Sequence, residues 1–227
     1  MCGRYSITAN TDQIRERLKV DLLHGNLDLP RYNIAPTQNA PVVIEENGKR
    51  ILTQYRWGLV PSWSKDLAIG TKMINARAET LTEKPAFRKL VKSQRCVAVA
   101  DGFYEWVGTG PKRVPMRIVR KDGELFAFAA LWDQWQEPVT GGEIRSFTIL
   151  TTSSERNKTM RTLHHRMPVI LGPELESIWL SPFQYPEGLL DRIVESGAGT
   201  PLRIYEVSHE VNSPRNDSAK CVEAISD

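Results

Sequence analysis

Hydrophobic and polar positions along the chain alternate far more often than they recur at helical spacing. Residues 95–100, 103–107, 115–120, 124–132 and 145–152 are apolar throughout or at every second position. Gly-containing turns separate most of them, so each reads as a strand. Earlier, 41–45 and 50–55 flank Asn47-Gly48, the dipeptide that favours a tight hairpin turn. A late strand is expected at 202–207. Helical spacing is confined to shorter stretches. Asn10 and Gln13 have capping-box spacing ahead of Ile14, Leu18 and Leu22, which predicts a helix over about 12–23. A second is expected over 82–93, with Pro85 in its first turn and Phe87, Leu90 and Val91 on one side. Others are expected near 154–163, 174–180 and 187–195. Strands dominate and helices do not alternate with them. The fold class is therefore α+β, a single domain whose strand-rich, largely antiparallel sheet or distorted barrel carries peripheral helices.

Composition changes this picture mainly by subtraction. The chain has 227 residues, 41% hydrophobic and 25% charged, which suits one sizeable domain and excludes disorder and coiled coil. No apolar run approaches the roughly 18 residues of a membrane span, and Met-Cys-Gly-Arg-Tyr lacks the apolar core of a secretory signal. A cytoplasmic protein with no membrane partner is expected. Its three cysteines, Cys2, Cys96 and Cys221, are widely spaced and form no CxxC pair, so neither a disulfide framework nor a zinc site is expected. Neither Gly-rich phosphate motif occurs, and no cofactor is expected. The net charge of +3 is too small to announce a polyanion ligand, so the placement of the basic residues matters more than their number.

Four segments carry candidate chemistry. Cys2 follows the initiator Met, whose removal is normal before a small residue, and the mature chain then starts with a 1,2-aminothiol. Its α-amine has a reference pKa of about 7.7–8.0, so an appreciable fraction is free base at neutral pH. Such an amine attacks an aldehyde to give a Schiff base, and the thiol can close onto the same carbon as a thiazolidine. The alternative is a small residue at an untethered end. In Met73-Ile74-Asn75-Ala76-Arg77-Ala78-Glu79, extended backbone would put Asn75, Arg77 and Glu79 on one face, able to position an amine and hold a phosphate. The alternative is an edge strand with a solvated face.

Asp101-Gly102-Phe103-Tyr104-Glu105-Trp106 sets Glu105 between two aromatics, a desolvating environment suited to general acid/base work. Alternation groups Phe103, Glu105 and Val107 on one face and Tyr104 and Trp106 on the other, and Trp106 could stack on a base. Leu163-His164-His165-Arg166-Met167-Pro168 leads into an expected strand at 169–171. Adjacent histidines in a strand face opposite ways, so one of them is expected to serve a given site. Arg4 lies beside Cys2, Arg77 beside Asn75 and Arg166 beside His164, with Trp57, Trp63 and Trp106 in or near these segments. Interleaved guanidinium and indole groups suit a single-stranded nucleic-acid groove.

Together these segments resemble one family closely. Met-Cys-Gly-Arg-Tyr at 1–5, Arg31-Tyr32-Asn33-Ile34-Ala35-Pro36, Arg56-Trp57-Gly58-Leu59-Val60-Pro61-Ser62-Trp63, Ile74-Asn75-Ala76-Arg77-Ala78-Glu79, Asp101 to Trp106 and His164 to Pro168 occur in the order of the SOS-response-associated peptidase (SRAP) family, also called abasic-site processing proteins. The resemblance implies a single SRAP-like domain over 1–227. It also implies binding to abasic sites in single-stranded DNA, including single/double-strand junctions, by a monomer associated with DNA in the cytoplasm. The ring-opened deoxyribose would be captured as a covalent thiazolidine on Cys2, with an AP-lyase side reaction. On the same ground Asn75 orients the amine and sugar, Glu105 assists ring opening and proton transfer, and His164 helps Schiff-base formation, reversal or β-elimination. Arg4, Arg77 and Arg166 bind phosphates, and Pro36, Trp63 and Trp106 stack on or wedge against bases. The peptidase label would amount to self-removal of a residue ahead of Cys2 at most. Two rivals remain: a class II glutamine amidotransferase, which also starts Met-Cys-Gly, and a non-covalent single-stranded DNA-binding module in which Cys2 is incidental.

Overall fold

In the computed structural model, which describes residues 2–110 and 113–225, the alternating segments form two sheets. In chain order the strands are β1 (Tyr5–Ile7), β2 (Leu22–Leu23), β3 (Arg31–Ile34), β4 (Asn39–Glu46), β5 (Lys49–Trp57), β6 (Asn75–Arg77), β7 (Arg95–Ala100), β8 (Gly102–Val107), β9 (Val114–Arg120), β10 (Phe126–Gln136), β11 (Glu143–Ser153), β12 (Arg166–Pro168) and β13 (Leu202–Glu206). The helices are α1 (Thr11–Leu18), α2 (Leu90–Ser93), α3 (Pro173–Leu180) and α4 (Leu189–Ala198). The β4–β5 hairpin turns on Asn47 and Gly48, both at positive φ (53° and 72°), as that dipeptide predicts.

The larger sheet closes on itself. β4 pairs β7 with Val42 opposite Ala98, β7 pairs β10 with Ala98 opposite Phe128, and β10 pairs β11 with Ala130 opposite Ile149, all antiparallel. β11 then meets β5 in parallel, Phe147 opposite Trp57, and completes a five-stranded barrel. The second sheet runs β13-β9-β8-β1-β3, antiparallel throughout. Fully buried Phe103 of β8 contacts Phe126 and Phe128 of β10 at ring distances of 5.9 Å, so one apolar core joins sheet and barrel. Side chains of this size each contribute about 1.5–3 kcal/mol on burial. The strand-rich α+β architecture is the expected one.

The helices depart from their expected extents. α1 has its capping box, Asn10 and Gln13 exchanging bonds of 2.9 Å, but ends at Lys19, which turns left-handed (φ 53°). Leu22, which continued the helical spacing, instead pairs with Ile51 as part of β2. Over 82–93 only α2 is α-helical; before it the chain makes turns in which N–H groups reach back three residues as often as four. Over 154–163 the side chain of Asn157 accepts the N–H groups of Thr159 and Met160 and holds turns in place of a helix. β12 covers 166–168, and 169–171 continues as backbone bonded to Ala127, Ala129 and Leu150. Among the described residues no helix is long and apolar enough to cross a membrane.

Candidate active site and nucleic-acid groove

The site forms where the two sheets meet. In the smaller sheet β1 runs antiparallel to β8, Tyr5 opposite Phe103, and Tyr104 N–H donates to the Arg4 carbonyl at 3.0 Å. That register lays residues 2–4 alongside Tyr104–Trp106. In the barrel, the end of β11 receives β6 in parallel, Thr151 opposite Arg77, and β12 antiparallel, Ser153 opposite Arg166. Asn75 joins the two halves: its Nδ2 donates to the Cys2 carbonyl at 2.8 Å. The other amide atom, Oδ1, is buried and accepts no hydrogen bond from the described residues. A buried acceptor of this kind is costly unless something fills it.

Cys2 is fully buried, and its Sγ lies 3.8 Å from the Arg4 carbonyl. Burial pushes its thiol far above the ordinary range, and the negative charge of Glu105 pushes it further. Glu105 is buried on the face of β8 that also carries Phe103, while Tyr104 and Trp106 pack on the opposite side with Val211 and Cys221; the expected alternation holds. His164 Nδ1 lies 3.0 Å from the Arg166 backbone nitrogen and 3.1 Å from the Arg166 carbonyl oxygen, so the turn holds the ring through that nitrogen. Its ring stacks on that of His165 at 4.3 Å, because both precede β12 in a turn and do not alternate as strand residues do. The charge of His164, then burial, then Arg166 and Arg77 among other neighbours hold His165 below its usual value.

Beside Asn75 opens a groove of about 610 Å³ whose lining includes Trp63, Lys72, Asn75, Arg77, Lys84 and Phe87. It carries three cations and no carboxylate. Trp63 is 62% exposed. Arg77 points to solvent, but Glu79 does not share its face, since the chain leaves β6 for a 3-10 turn at Ala78–Thr80. Instead Glu79 binds Arg166 through two oxygens at 2.7 and 2.9 Å. Burial alone would raise the Glu79 carboxyl, but the Arg166 guanidinium more than offsets this and holds it down to about 2.

Arg4 is committed inward through Nη1, which donates to Asn33 Oδ1 and to the Val211 carbonyl, both at 2.7 Å. Its guanidinium carbon lies 5.8 Å from the centre of the Trp106 ring, and Trp106 Nε1 donates to Asn212 Oδ1 at 2.6 Å. Pro36 occupies a turn closed by Gln38 N–H on the Ala35 carbonyl, with Thr37 at φ 74°. No group of three or more metal-ligating side chains occurs among the described residues.

The model of the SOS response associated peptidase (SRAP) family matches residues 1–214. The chain belongs to this family. Among SRAP relatives, "Abasic site processing protein YoqW" of Bacillus subtilis (strain 168) is 44% identical over 227 residues, covering 99% of this chain and all of that one. "Abasic site processing protein HMCES" of Xenopus tropicalis is 31% identical over 267 residues, covering 99% of this chain and 78% of its own. A solved structure from Bacteroides thetaiotaomicron superposes with a TM-score of 0.82 over 99% of this chain and 100% of that one, at 24% identity, a likeness of fold.

For this SRAP chain, sequence reasoning missed Lys72, Lys84 and Phe87 as groove residues. Lys84-Pro85-Ala86-Phe87, a cation and an aromatic around a proline, was a signal, but it was absorbed into an expected helix. Trp57, grouped with the nucleic-acid residues, is fully buried and donates to the Ile74 carbonyl at 2.9 Å. Cys96 is fully buried in β7, as a structural cysteine should be.

Proposed function

We propose that this protein binds abasic sites in single-stranded DNA and captures the ring-opened deoxyribose as a thiazolidine on Cys2 once Met1 has been removed. The contact between Asn75 and Cys2, at the edge of a cationic and aromatic groove, carries this reading. The names of the YoqW and HMCES relatives, both abasic site processing proteins, support the abasic-site part of it.

The Cys2 α-amine adds to the C1′ aldehyde, and the carbinolamine loses water to give the imine. The thiol sulfur then adds to the imine carbon while its proton passes to nitrogen, closing the five-membered ring with net loss of one water. Burial and Glu105 keep the thiol protonated at neutral pH, which favours this order, amine first and thiol second. Asn75 Oδ1 accepts from the incoming amine or sugar hydroxyl, and Glu105 receives and returns the thiol proton. His164 serves proton transfer at the carbinolamine. At the imine stage the C2′ proton is acidified, and its loss with cleavage of the C3′–O bond is the slower lyase branch.

Arg77, Lys72 and Lys84 take backbone phosphates, with Arg4 beside Cys2. Arg166 would exchange one Glu79 oxygen for a phosphate oxygen. Trp63 and Trp106 stack on bases and Pro36 wedges between them, which selects unpaired DNA.

The test is a denaturing gel of purified protein, confirmed to lack Met1, with an oligonucleotide carrying one abasic site. A covalent band that is lost in Cys2→Ala, and absent with intact DNA or with a tag ahead of Met1, is expected. No band from the Met1-free protein would overturn the reading. Cys2→Ala cross-linking as the parent does would remove Cys2 from it.

A further inference from the structure

We propose that Asn33 is a positioning residue whose two amide atoms do separate work: Oδ1 fixes Arg4 for a phosphate, and Nδ2 latches the C-terminal segment against the site. The inference rests on the reading of Arg4 given above and adds the element that holds it.

Asn33 is fully buried on β3, beside β1. Oδ1 accepts from Arg4 Nη1 at 2.7 Å. Nδ2 faces three carbonyls of the C-terminal segment, Val211 at 3.2 Å, Ser213 at 3.0 Å and Asn216 at 2.6 Å. Arg4 Nη1 also reaches Val211, so Arg4, Asn33 and Val211 form a closed triangle. The backbone of Asn33 repeats the attachment, its N–H donating to Asp217 Oδ1 at 2.9 Å, and Asp217 also pairs with Arg31. From the other side Tyr104 OH donates to the Tyr32 carbonyl at 2.7 Å, with the Cys221 carbonyl at 3.2 Å, and Asn212 receives Trp106.

Residues 208–221 form no strand of either sheet, so side chains carry most of their attachment to β3 and β8. Asn33 is the one among them that hydrogen-bonds Arg4. A guanidinium held at one nitrogen by a neutral amide keeps its full charge, whereas a carboxylate in that place would cancel it. Arg4 Nη2 makes no hydrogen bond among the described residues and is left to meet an anion. The motif Arg31-Tyr32-Asn33 thus acts on the site without lining it.

Non-covalent binding of intact single-stranded oligonucleotide, followed against salt, reads the number of phosphates neutralised at about 0.7 in log–log slope for each. Arg4→Ala should lower the slope by about 0.7. Asn33→Ala should do the same, and the double variant should fall no further. Hydrogen exchange over 209–216 should quicken in Asn33→Ala. Asn33→Asp removes the donor to the three carbonyls and sets a carboxylate against Arg4, so it should quicken the same exchange and lower the slope by about 0.7. This second variant decides the matter if Asn33→Ala does not fold.

A parent-like slope in Asn33→Ala would overturn the proposal, as would additive losses in the double variant. So would Asn33→Asp with a parent-like slope, or with its exchange unchanged. A parent-like slope in Arg4→Ala would remove the phosphate role of Arg4, and this proposal with it, while the cross-linking gel still judges the thiazolidine chemistry separately.

Discussion

Glu105 and Glu79 are both carboxylates near the site, yet their surroundings assign them different work. Glu105 is buried and its charge acts on the Cys2 thiol, whose proton moves in the proposed ring closure, while holding DNA asks nothing of it. Glu105→Gln keeps the shape and removes the base. Single-turnover cross-linking should slow by roughly 10²-fold, the usual range for a lost general base, while affinity for intact single-stranded DNA stays within about twofold of the parent's. An unchanged rate in a gel time course would take Glu105 out of the chemistry. Glu79 is spent on Arg166, and its folded-state carboxyl near 2 lies below its ordinary 4.5. The folded protein therefore binds fewer protons there than the unfolded chain does. The stabilisation is full above about 4.5 and is lost as pH falls toward 2. Glu79 is nearly half exposed, so solvent screening keeps the gain under about 1 kcal/mol. The melting-temperature gap between parent and Glu79→Gln should be present at pH 7 and close across that window; a gap that widens on acidification would contradict the pairing.

The groove depends on a contact between elements that neither element shows alone. Gly58, at φ 118° just after β5, lies against Gly70 in the 3-10 turn Leu67–Lys72. A Cβ on Gly70 would fall 2.7 Å from the Gly58 carbonyl oxygen, and one on Gly58 would fall 2.5 Å from that of Gly70. The close approach holds the segment bearing Trp63 and Lys72 as one wall. Gly70 is not at positive φ, so Gly70→Ala tests the approach and not the turn. It should cost about 1–3 kcal/mol in denaturant unfolding and weaken single-stranded DNA binding by roughly tenfold, about 1.4 kcal/mol. Parent-like binding would mean that the wall does not need the contact. Gly58 and Gly70 also mark what the sequence could convey. Strands were legible because two-residue alternation survives in any context, and Cys2, Asn75 and Glu105 stood out as candidates because their neighbours form compact motifs. The parallel closure of β11 on β5 left no local trace, since it joins residues ninety apart in sequence. The same holds for Arg95, read as the start of an apolar strand. Its guanidinium is buried and bonds five carbonyls around α2 and α3, a cluster no window of sequence contains. The 12–23 helix misled for the opposite reason: Leu22 kept helical spacing while Lys19 had already turned the chain.

At the scale of the whole molecule, a net charge of +3 sets how DNA can be held. Such a protein gains little long-range attraction for a polyanion, so affinity has to come from the few cations gathered at the groove. Arg166 is already neutralised by Glu79, so the four phosphate contacts that release counterions, from Arg4, Lys72, Arg77 and Lys84, correspond to a log–log salt slope of about −2.8. Between 50 and 200 mM salt, affinity for intact single-stranded DNA should then fall by about 50-fold, as fluorescence anisotropy would show. In the proposed reaction, retention comes from a bond that salt does not touch, the thiazolidine on Cys2. The parent, once reacted with abasic DNA, should therefore stay bound when salt is raised to molar levels. Cys2→Ala on the same DNA should dissociate along the slope measured for intact DNA. If Cys2→Ala instead held abasic DNA through high salt, the groove would grip the lesion without the thiazolidine, and the non-covalent module would be the better description of the protein.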